Sequence, residues 1–172
     1  EMEGAGYSRY YFFFANYLIS KNNTLEAKKI ITESRKENTS NILLKQSENF
    51  FLSNKTKEIT NFFDCRSPKD NVAEVFYLIA NLFSGQEDYQ SSNFYLKISF
   101  FLNKNFKPNR TLLAENFYFQ DRDNLAIKTY KELKKIGPVY SWHASKVLAT
   151  IASRSEDINI KKVVNKLEKD FS

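Results

Sequence analysis

Small side chains recur along this chain at a fixed interval, and that interval restricts the fold more than any other feature. Ala80 and Ala114 lie 34 positions apart, and so do Ser92 and Ala126. Within each of these units the second small residue follows the first by twelve positions. A period of this length is typical of arrays in which one supersecondary unit repeats, because a single unit cannot bury its apolar face alone.

The period continues towards the N-terminus. Ala15 and Ala27 repeat the interval of twelve, and Ser47 lies 32 positions after Ala15 and 33 before Ala80. Within each half-unit, apolar residues follow one another at spacings of three and four, which predicts an amphipathic helix. The sequence therefore predicts an all-α fold, an α-solenoid of about five antiparallel helix pairs of about 34 residues, with a linker or tail at 1–7 and one domain divided into the units 8–41, 42–72, 73–106, 107–140 and 141–172.

The composition agrees with a helical fold. The 172 residues include only four glycines and three prolines, whereas an all-β sandwich or barrel needs turn residues every 8–12 positions. Hydrophobic residues make up 42% of the chain, which is enough to bury a core and excludes a disordered chain. A four-helix bundle is rejected because it would not need a 34-residue period.

Residues at the breaks between half-units predict where helices begin and end. Asn23, Asp88 and Asp123 are predicted to start helices, because a side-chain oxygen at that position accepts an otherwise unpaired backbone N–H. Pro108 fits the first turn of a helix. Gly137 is predicted to end a helix through a left-handed backbone conformation.

Six positions of the unit 107–140 match a known repeat signature. The tetratricopeptide repeat has 34 residues with the pattern W-x2-L-G-x2-Y…A-x3-F…P, and its last six places are filled here by Leu113, Ala114, Phe117, Ala126, Tyr130 and Pro138. The units 8–41 and 73–106 match in kind, with Thr39 and Lys104 in place of the proline. The chain thus resembles the tetratricopeptide repeat family, which implies a right-handed superhelix whose first helices line a concave groove. Helical RNA-binding repeats of similar period are the nearest alternative.

The resemblance also implies which residues would contact a partner protein. The groove would bind an extended peptide or a helix through Phe12, Asn16, Tyr77, Asn81, Thr111, Glu115 and Tyr118. Amide side chains suit this task because they donate to a backbone C=O and accept from an N–H. Chaperone-binding members of the family hold a terminal carboxylate with Lys and Arg. Tyr77 and Glu115 occupy the matching places here, so no carboxylate clamp is expected.

A basic stripe is predicted on the second helix of the fourth unit, which would lie on the convex side. The formal net charge is +6, and most of the surplus lies in the C-terminal third. Lys128, Lys131, Lys134 and Lys135 would form a solvated face, or a docking face for an acidic partner or anionic lipid. Glu132 interrupts the stripe and no exposed aromatics accompany it, so nucleic acid is not an expected partner.

Catalytic and metal-binding motifs are missing from the sequence. The single Cys excludes a disulfide framework within the chain, and one His with one Cys argues against a zinc site. His143 has no nucleophile motif beside it, no glycine loop could hold a phosphate, and residues 121–123 lack the later Gly and Glu of a calcium loop. No enzymatic activity, metal or cofactor is therefore expected.

Three hypotheses for function remain. The first is a non-catalytic scaffold that binds another protein in the groove. The second is a structural or assembly role, in which the solenoid ends and the basic convex face pack against copies of the chain or other subunits. An exposed apolar face on an uncapped last helix would favour this role, through Ile160, Val163, Val164 and Leu167. The third is RNA binding, which would need a basic groove.

The place of the protein in the cell is indicated only by resemblance. No run approaches 18 apolar residues, so no membrane span is predicted and a soluble chain is expected. The chain begins with Glu1 rather than Met, so it is expected to be a piece of a longer protein. The pattern of residues in its repeats resembles that of bacterial repeat proteins of the cell envelope.

Overall fold

The computed structural model describes residues 3–154, with side chains from Ser8 onward, and every regular element in this range is an α-helix. The prediction of an all-α fold is confirmed. A helix begins at Glu3 and thus occupies most of the segment predicted as a linker over residues 1–7. The helices of the described range are α1 (Glu3–Ser20), α2 (Thr24–Glu37), α3 (Ile42–Leu52), α4 (Thr56–Thr60), α5 (Pro68–Gly85), α6 (Tyr89–Leu102), α7 (Pro108–Phe119), α8 (Asp123–Leu133) and α9 (Pro138–Arg154).

Consecutive helices pack in pairs. Helix α1 packs against α2, α5 against α6 and α7 against α8, and the contact between α5 and α6 is the most extensive. Helix α4 has only five residues, so the pair α3–α4 is the shortest. Helix α5 begins at Pro68, before the unit boundary at 73, because the Ser67 hydroxyl accepts the Asp70 N–H and proline fits a first turn. The second helix of the last predicted unit falls in residues 155–172, outside the described residues.

In the described range, the same type of turn joins the first helix to the second in all four pairs. Asn22, Asn54, Glu87 and Asp121 have positive φ angles between 54° and 61°, and they follow one another at intervals of 32, 33 and 34 residues. In each turn the N–H of the next residue bonds to the carbonyl five positions before it. This is the pattern of a helix end with a left-handed residue. The backbone therefore repeats with the period of the small residues.

The small residues that define the period are all buried. Their size allows close approach, because the distance between two helix axes depends on the side chains at the contact. None of them exposes more than 1% of its surface: Ala15, Ala27, Ser47, Ala80, Ser92, Ala114 and Ala126.

Most of the predicted helix starts are confirmed. Asn23 and Asp88 each accept the N–H of the residue three positions later, and Pro108 lies in the first turn of α7. Asp123 is the first residue of α8, as predicted, but its carboxylate makes no capping hydrogen bond and binds Arg154 at 2.6 Å instead. Arg154 is 31 residues away, so no local pattern reveals this contact.

A buried ion pair joins α1 to α5. Arg9 donates to the Glu74 carboxylate across 65 positions of sequence, and both side chains are almost fully buried. The Arg9 guanidinium lies 3.5 Å from the centre of the Tyr77 ring and 4.7 Å from that of Phe106, which is a cation–π arrangement. Burial raises the pKa of Glu74, although Arg9 acts to lower it.

Helix α3 also packs against α9, which connects the second and fifth units. The fully buried Gln46 accepts the Val139 N–H at 3.1 Å through Oε1. A row of repeats in which each unit touches only its neighbours has no such contact. The described helices therefore depart from an open row, because the first turn of α9 is anchored to α3.

This junction explains Gly137. A Cβ atom on Gly137 would lie 2.3 Å from Nε2 of Gln46, so the site has no room for a side chain. The φ angle of Gly137 is not positive, and the predicted left-handed helix end is therefore wrong. Glycine is needed here for close approach, not for an unusual backbone conformation.

We expect the Arg9–Glu74 pair to dominate the stability of the α1–α5 contact. Glu74→Gln or Arg9→Met should each lower the free energy of unfolding by about 3–5 kcal/mol, because either change leaves a buried group without its partner. The double variant Arg9→Met/Glu74→Leu should lose less than the sum of the single changes. Urea unfolding measures all three. Arg35→Met, which breaks the more exposed pair with Glu48, is the control and should lose less. Additive single changes would contradict this prediction.

We expect Gly137→Ala to lower the free energy of unfolding by about 1–3 kcal/mol, since the new methyl group overpacks a buried, hydrogen-bonded glutamine. Gly85→Ala is the matched control, because its added Cβ meets no atom within 4 Å and alanine favours a helix by about 0.5–1 kcal/mol. Thermal unfolding of both variants tests the prediction. Equal shifts in the two melting temperatures would show that Gln46 moves aside without loss.

Candidate binding surface of helices α5, α7 and α9

The structure divides the predicted groove residues into two groups. Phe12 and Asn16 of α1 are buried within the chain and cannot reach a partner, so their assignment to a groove is wrong. The Phe12 ring packs between Phe62 and Phe106, with ring centres 6.2 and 6.1 Å away. The Asn16 amide donates to the Ile59 carbonyl at 2.9 Å. Both residues hold α1 against its neighbours in the core.

Two of the remaining residues lie on α5 and are half-buried. One face of the Tyr77 ring is covered by the Arg9 guanidinium, and the Asn81 amide donates to the Tyr77 carbonyl at 3.1 Å within the same helix. Tyr77 therefore supports the buried ion pair. A change at Tyr77 would disturb the core, and it is not a selective test of binding.

The other three residues form one face of α7. Thr111, Glu115 and Tyr118 are spaced by four and three positions, which places them on the same side of the helix, and all three are half-buried. Oγ1 of Thr111 is shielded from solvent and has no hydrogen-bond partner in the described residues. The same holds for Nε2 of His143 in α9, which lies 4.0 Å from Oε1 of Glu115. That distance is too long for a hydrogen bond.

Glu115 is the most perturbed acid of this surface. Burial alone raises its pKa to about 7, although 38% of its side-chain surface remains exposed. No group in the described range donates a hydrogen bond to Glu115. It is therefore poorly solvated and unpaired.

The neighbours of Glu115 are mostly neutral. Burial lowers the pKa of His143, and the charge of Lys146 lowers it further. Burial raises the pKa values of Tyr130 and Tyr140, with a smaller contribution from Glu115 itself. The Tyr130 ring centre lies 6.1 Å from that of His143. Glu115 thus faces aromatic and neutral groups.

Arg154 closes one end of this surface. It binds Asp123 at 2.6 Å and Asp121 at 3.3 Å, and its guanidinium lies 4.3 Å from the centre of the Tyr118 ring. The exposed ring face of Tyr118 is therefore already used by a cation of the same chain.

Two clefts lie away from this surface. The larger, about 690 Å³, runs between the α4–α5 and α6–α7 connections. Two of its polar side chains are used internally: Asn103 donates to the Phe62 carbonyl and Asp70 accepts the Asp64 N–H. None of its lining residues has a buried polar side-chain atom without a partner, so the cleft carries no functional argument despite its size.

The second cleft, about 420 Å³, is lined by one member of the predicted basic stripe, Lys135, together with Lys107 and Arg110. Arg110 is paired with Glu132, which also lines the cleft. Elsewhere in the stripe the side chains differ in exposure: Lys128 and Lys135 are exposed, whereas Lys131 and Lys134 are half-buried. The stripe is thus not a uniform solvated face.

The sequence did not single out α9 as part of the binding surface. The repeat itself offered a signal, since 34 positions after Thr111 comes Ser145, two residues from His143. Oγ of Ser145 is also buried without a partner. The side-chain contacts of Glu115 depend on how α9 packs, which the sequence pattern does not give.

Comparison with known proteins found no matching family model, no matching curated protein and no matching solved structure. Among the described residues no group of three or more side chains could hold a metal ion. In the same range no helix has both the length and the hydropathy that crossing a bilayer requires.

We expect Glu115 to make the stability of the protein depend on pH. Its folded pKa of about 7 lies above its ordinary value of 4.5, so the folded state binds this proton more tightly than the unfolded state. The free energy of unfolding should therefore fall as pH rises from about 4.5 to about 7. Glu115→Gln should remove this part of the fall. Urea unfolding between pH 5 and 8 measures both proteins, and parallel curves would contradict the assigned pKa.

Proposed function

We propose that this protein is a non-catalytic protein–protein interaction module of the tetratricopeptide repeat type. It binds an extended segment of a partner protein on the concave surface formed by α5, α7 and α9. The right-handed solenoid and the bacterial cell envelope are part of this proposal and rest on the resemblance described above. The equal turns that close the helix pairs support the repeat.

One observation carries the proposal. Thr111 and His143 each have a shielded polar atom without a partner, and the unpaired Glu115 carboxyl lies beside His143. Buried polar groups in folded proteins are normally hydrogen-bonded. A bound segment that reaches these atoms would supply the missing donors and acceptors from its backbone.

The same geometry gives no support to catalysis. His143 and Ser145 are two positions apart on α9, and residues at that spacing do not face each other on a helix. In the described residues Nε2 of His143 accepts no hydrogen bond from a hydroxyl group.

An assembly role is the second candidate, because the outer face of α1 is aromatic. Tyr10, Phe14 and Tyr17 are 41–52% exposed and lie on one side of the helix. A contiguous apolar face of this kind is typical of an interaction site. The apolar residues predicted for self-association, Ile160, Val163, Val164 and Leu167, lie outside the described residues.

RNA binding has less support. The arginines near the concave surface are already used, since Arg9 pairs with Glu74 and Arg154 pairs with Asp121 and Asp123. Lys146 of α9 is exposed, but one lysine does not form the basic groove that RNA binding needs.

Selection of peptides tests the proposed function. A library of random twelve-residue peptides on phage is selected against the wild type, and the Kd of enriched peptides is then measured for Thr111→Val/His143→Leu. We expect a loss of affinity of about tenfold or more, because each change removes a polar atom that a bound segment would pair. The fold should be kept, since neither atom has an internal partner.

Two controls complete this experiment. Lys128→Ala/Lys135→Ala alters the basic stripe and should leave the Kd within about twofold. If peptides lose affinity only for this variant, the stripe binds the partner and the proposed surface is wrong. Sedimentation of Phe14→Ser/Tyr17→Ser tests the assembly role: a wild-type oligomer that this variant dissociates would favour it.

A further inference from the structure

We propose that Glu115 is the receptor for one basic side chain, Lys or Arg, of the bound segment. This inference deepens the proposed function and rests on it, because it names the chemistry that the partner must bring to the concave surface. The subsite consists of Glu115 and Thr111 on α7, with His143 of α9 opposite.

Glu115 differs from the acids around it because it has no cation. Glu74 is paired with Arg9, and Asp121 and Asp123 are both paired with Arg154. The nearest basic atom to Glu115 is Nε2 of His143 at 4.0 Å. Since burial favours the neutral form of that imidazole, it does not supply the missing charge.

A cationic group fits beside the unpaired Glu115 carboxyl better than a neutral one. An ammonium or guanidinium group donates to the Glu115 carboxylate oxygens, which have no donor of their own in the described residues. The attraction is stronger than on an open surface, because the poorly solvated site screens it less. An apolar side chain would leave the carboxyl and the hydroxyl buried and unpaired, which is unfavourable.

An acidic side chain is excluded on the same grounds. It would place a second negative charge beside Glu115, and no lysine or arginine of the described residues lies within 4.0 Å of that carboxyl to offset it. The contact of Arg154 with Tyr118 shows that a guanidinium fits against a tyrosine ring on this surface. The bound segment thus carries a basic residue where it crosses α7.

Blocked amino acids test the subsite directly. N-acetyl-arginine methylamide and N-acetyl-lysine methylamide are titrated into the 15N-labelled protein at low salt, which avoids screening, with N-acetyl-norleucine methylamide as the uncharged probe. We expect the two cations to shift the amide resonances of Thr111, Glu115 and His143, and norleucine to shift them little. Glu115→Gln should weaken the binding of both cations by about tenfold or more.

The matched control is Glu33→Gln, which removes the same charge from an exposed position on α2 and should leave binding within about twofold. The affinity of the arginine probe should also rise roughly tenfold from pH 6 to pH 8, as Glu115 ionises. The other groups that face the site are Tyr118, Tyr130, Tyr140, His143 and Lys146. Burial holds Tyr130 and Tyr140 protonated and favours neutral His143 in this range.

The outcomes separate the subsite from the proposed function. Equal shifts from norleucine and arginine, or equal affinity of Glu115→Gln and Glu33→Gln, would overturn the subsite. Selected peptides that need Thr111 and His143, contain no basic residue and bind Glu115→Gln normally would also overturn it, while the proposed function would stand. Cation binding that depends on Glu115, without any peptide that uses the surface, would support the subsite and contradict the proposed function.

Discussion

The buried ion pair of Arg9 and Glu74 determines how the two halves of the described chain meet. Neither charge could be buried alone, so α1 and α5 must meet where the guanidinium reaches the carboxylate. The rings of Tyr77 and Phe106 cover the guanidinium, and Phe106 in turn packs on the aromatic core of α1. One polar contact thus connects α1, α5 and the segment before α7.

A second polar network holds α7 from its other side. The buried Asn116 donates to Ser92 and Asn93 of α6 and accepts from Ser84 of α5. Every polar atom of that amide side chain is used, so the network fixes the helix rather than binding a ligand. The adjacent residue, Glu115, points to a face where polar atoms stay unpaired. The helix therefore has one side that is satisfied within the fold and one side that is open to a partner.

Local sequence patterns predicted what depends on neighbours in the chain. The spacing of Ala80 and Ala114 gave the helix pairs, because a small residue must occur wherever two helices approach closely. Sequence patterns did not predict the contacts between segments that are distant along the chain. Phe12 followed the spacing of groove residues but is buried by Phe106, and Gly137 is needed because of Gln46, 91 positions earlier. Tertiary contacts of this kind leave no periodic trace, so the site on α7 was predicted only in part, and its contacts with α9 were not.

The unpaired polar groups on α7 and α9 lower the free energy of unfolding, and the other contacts of the fold compensate for this loss. A valine at Thr111 and a neutral amide at Glu115 would remove a shielded hydroxyl and a poorly solvated carboxyl, so the native residues lower the stability of the free protein. Binding sites commonly contain unpaired groups that lower stability, because a partner that completes the missing contacts gains binding free energy from them. On this surface the missing interaction is electrostatic. An ionised carboxyl group without a cation is stabilised when a positive charge binds beside it. In the proposed complex, the burial that raises the pKa of Glu115 also selects a basic partner.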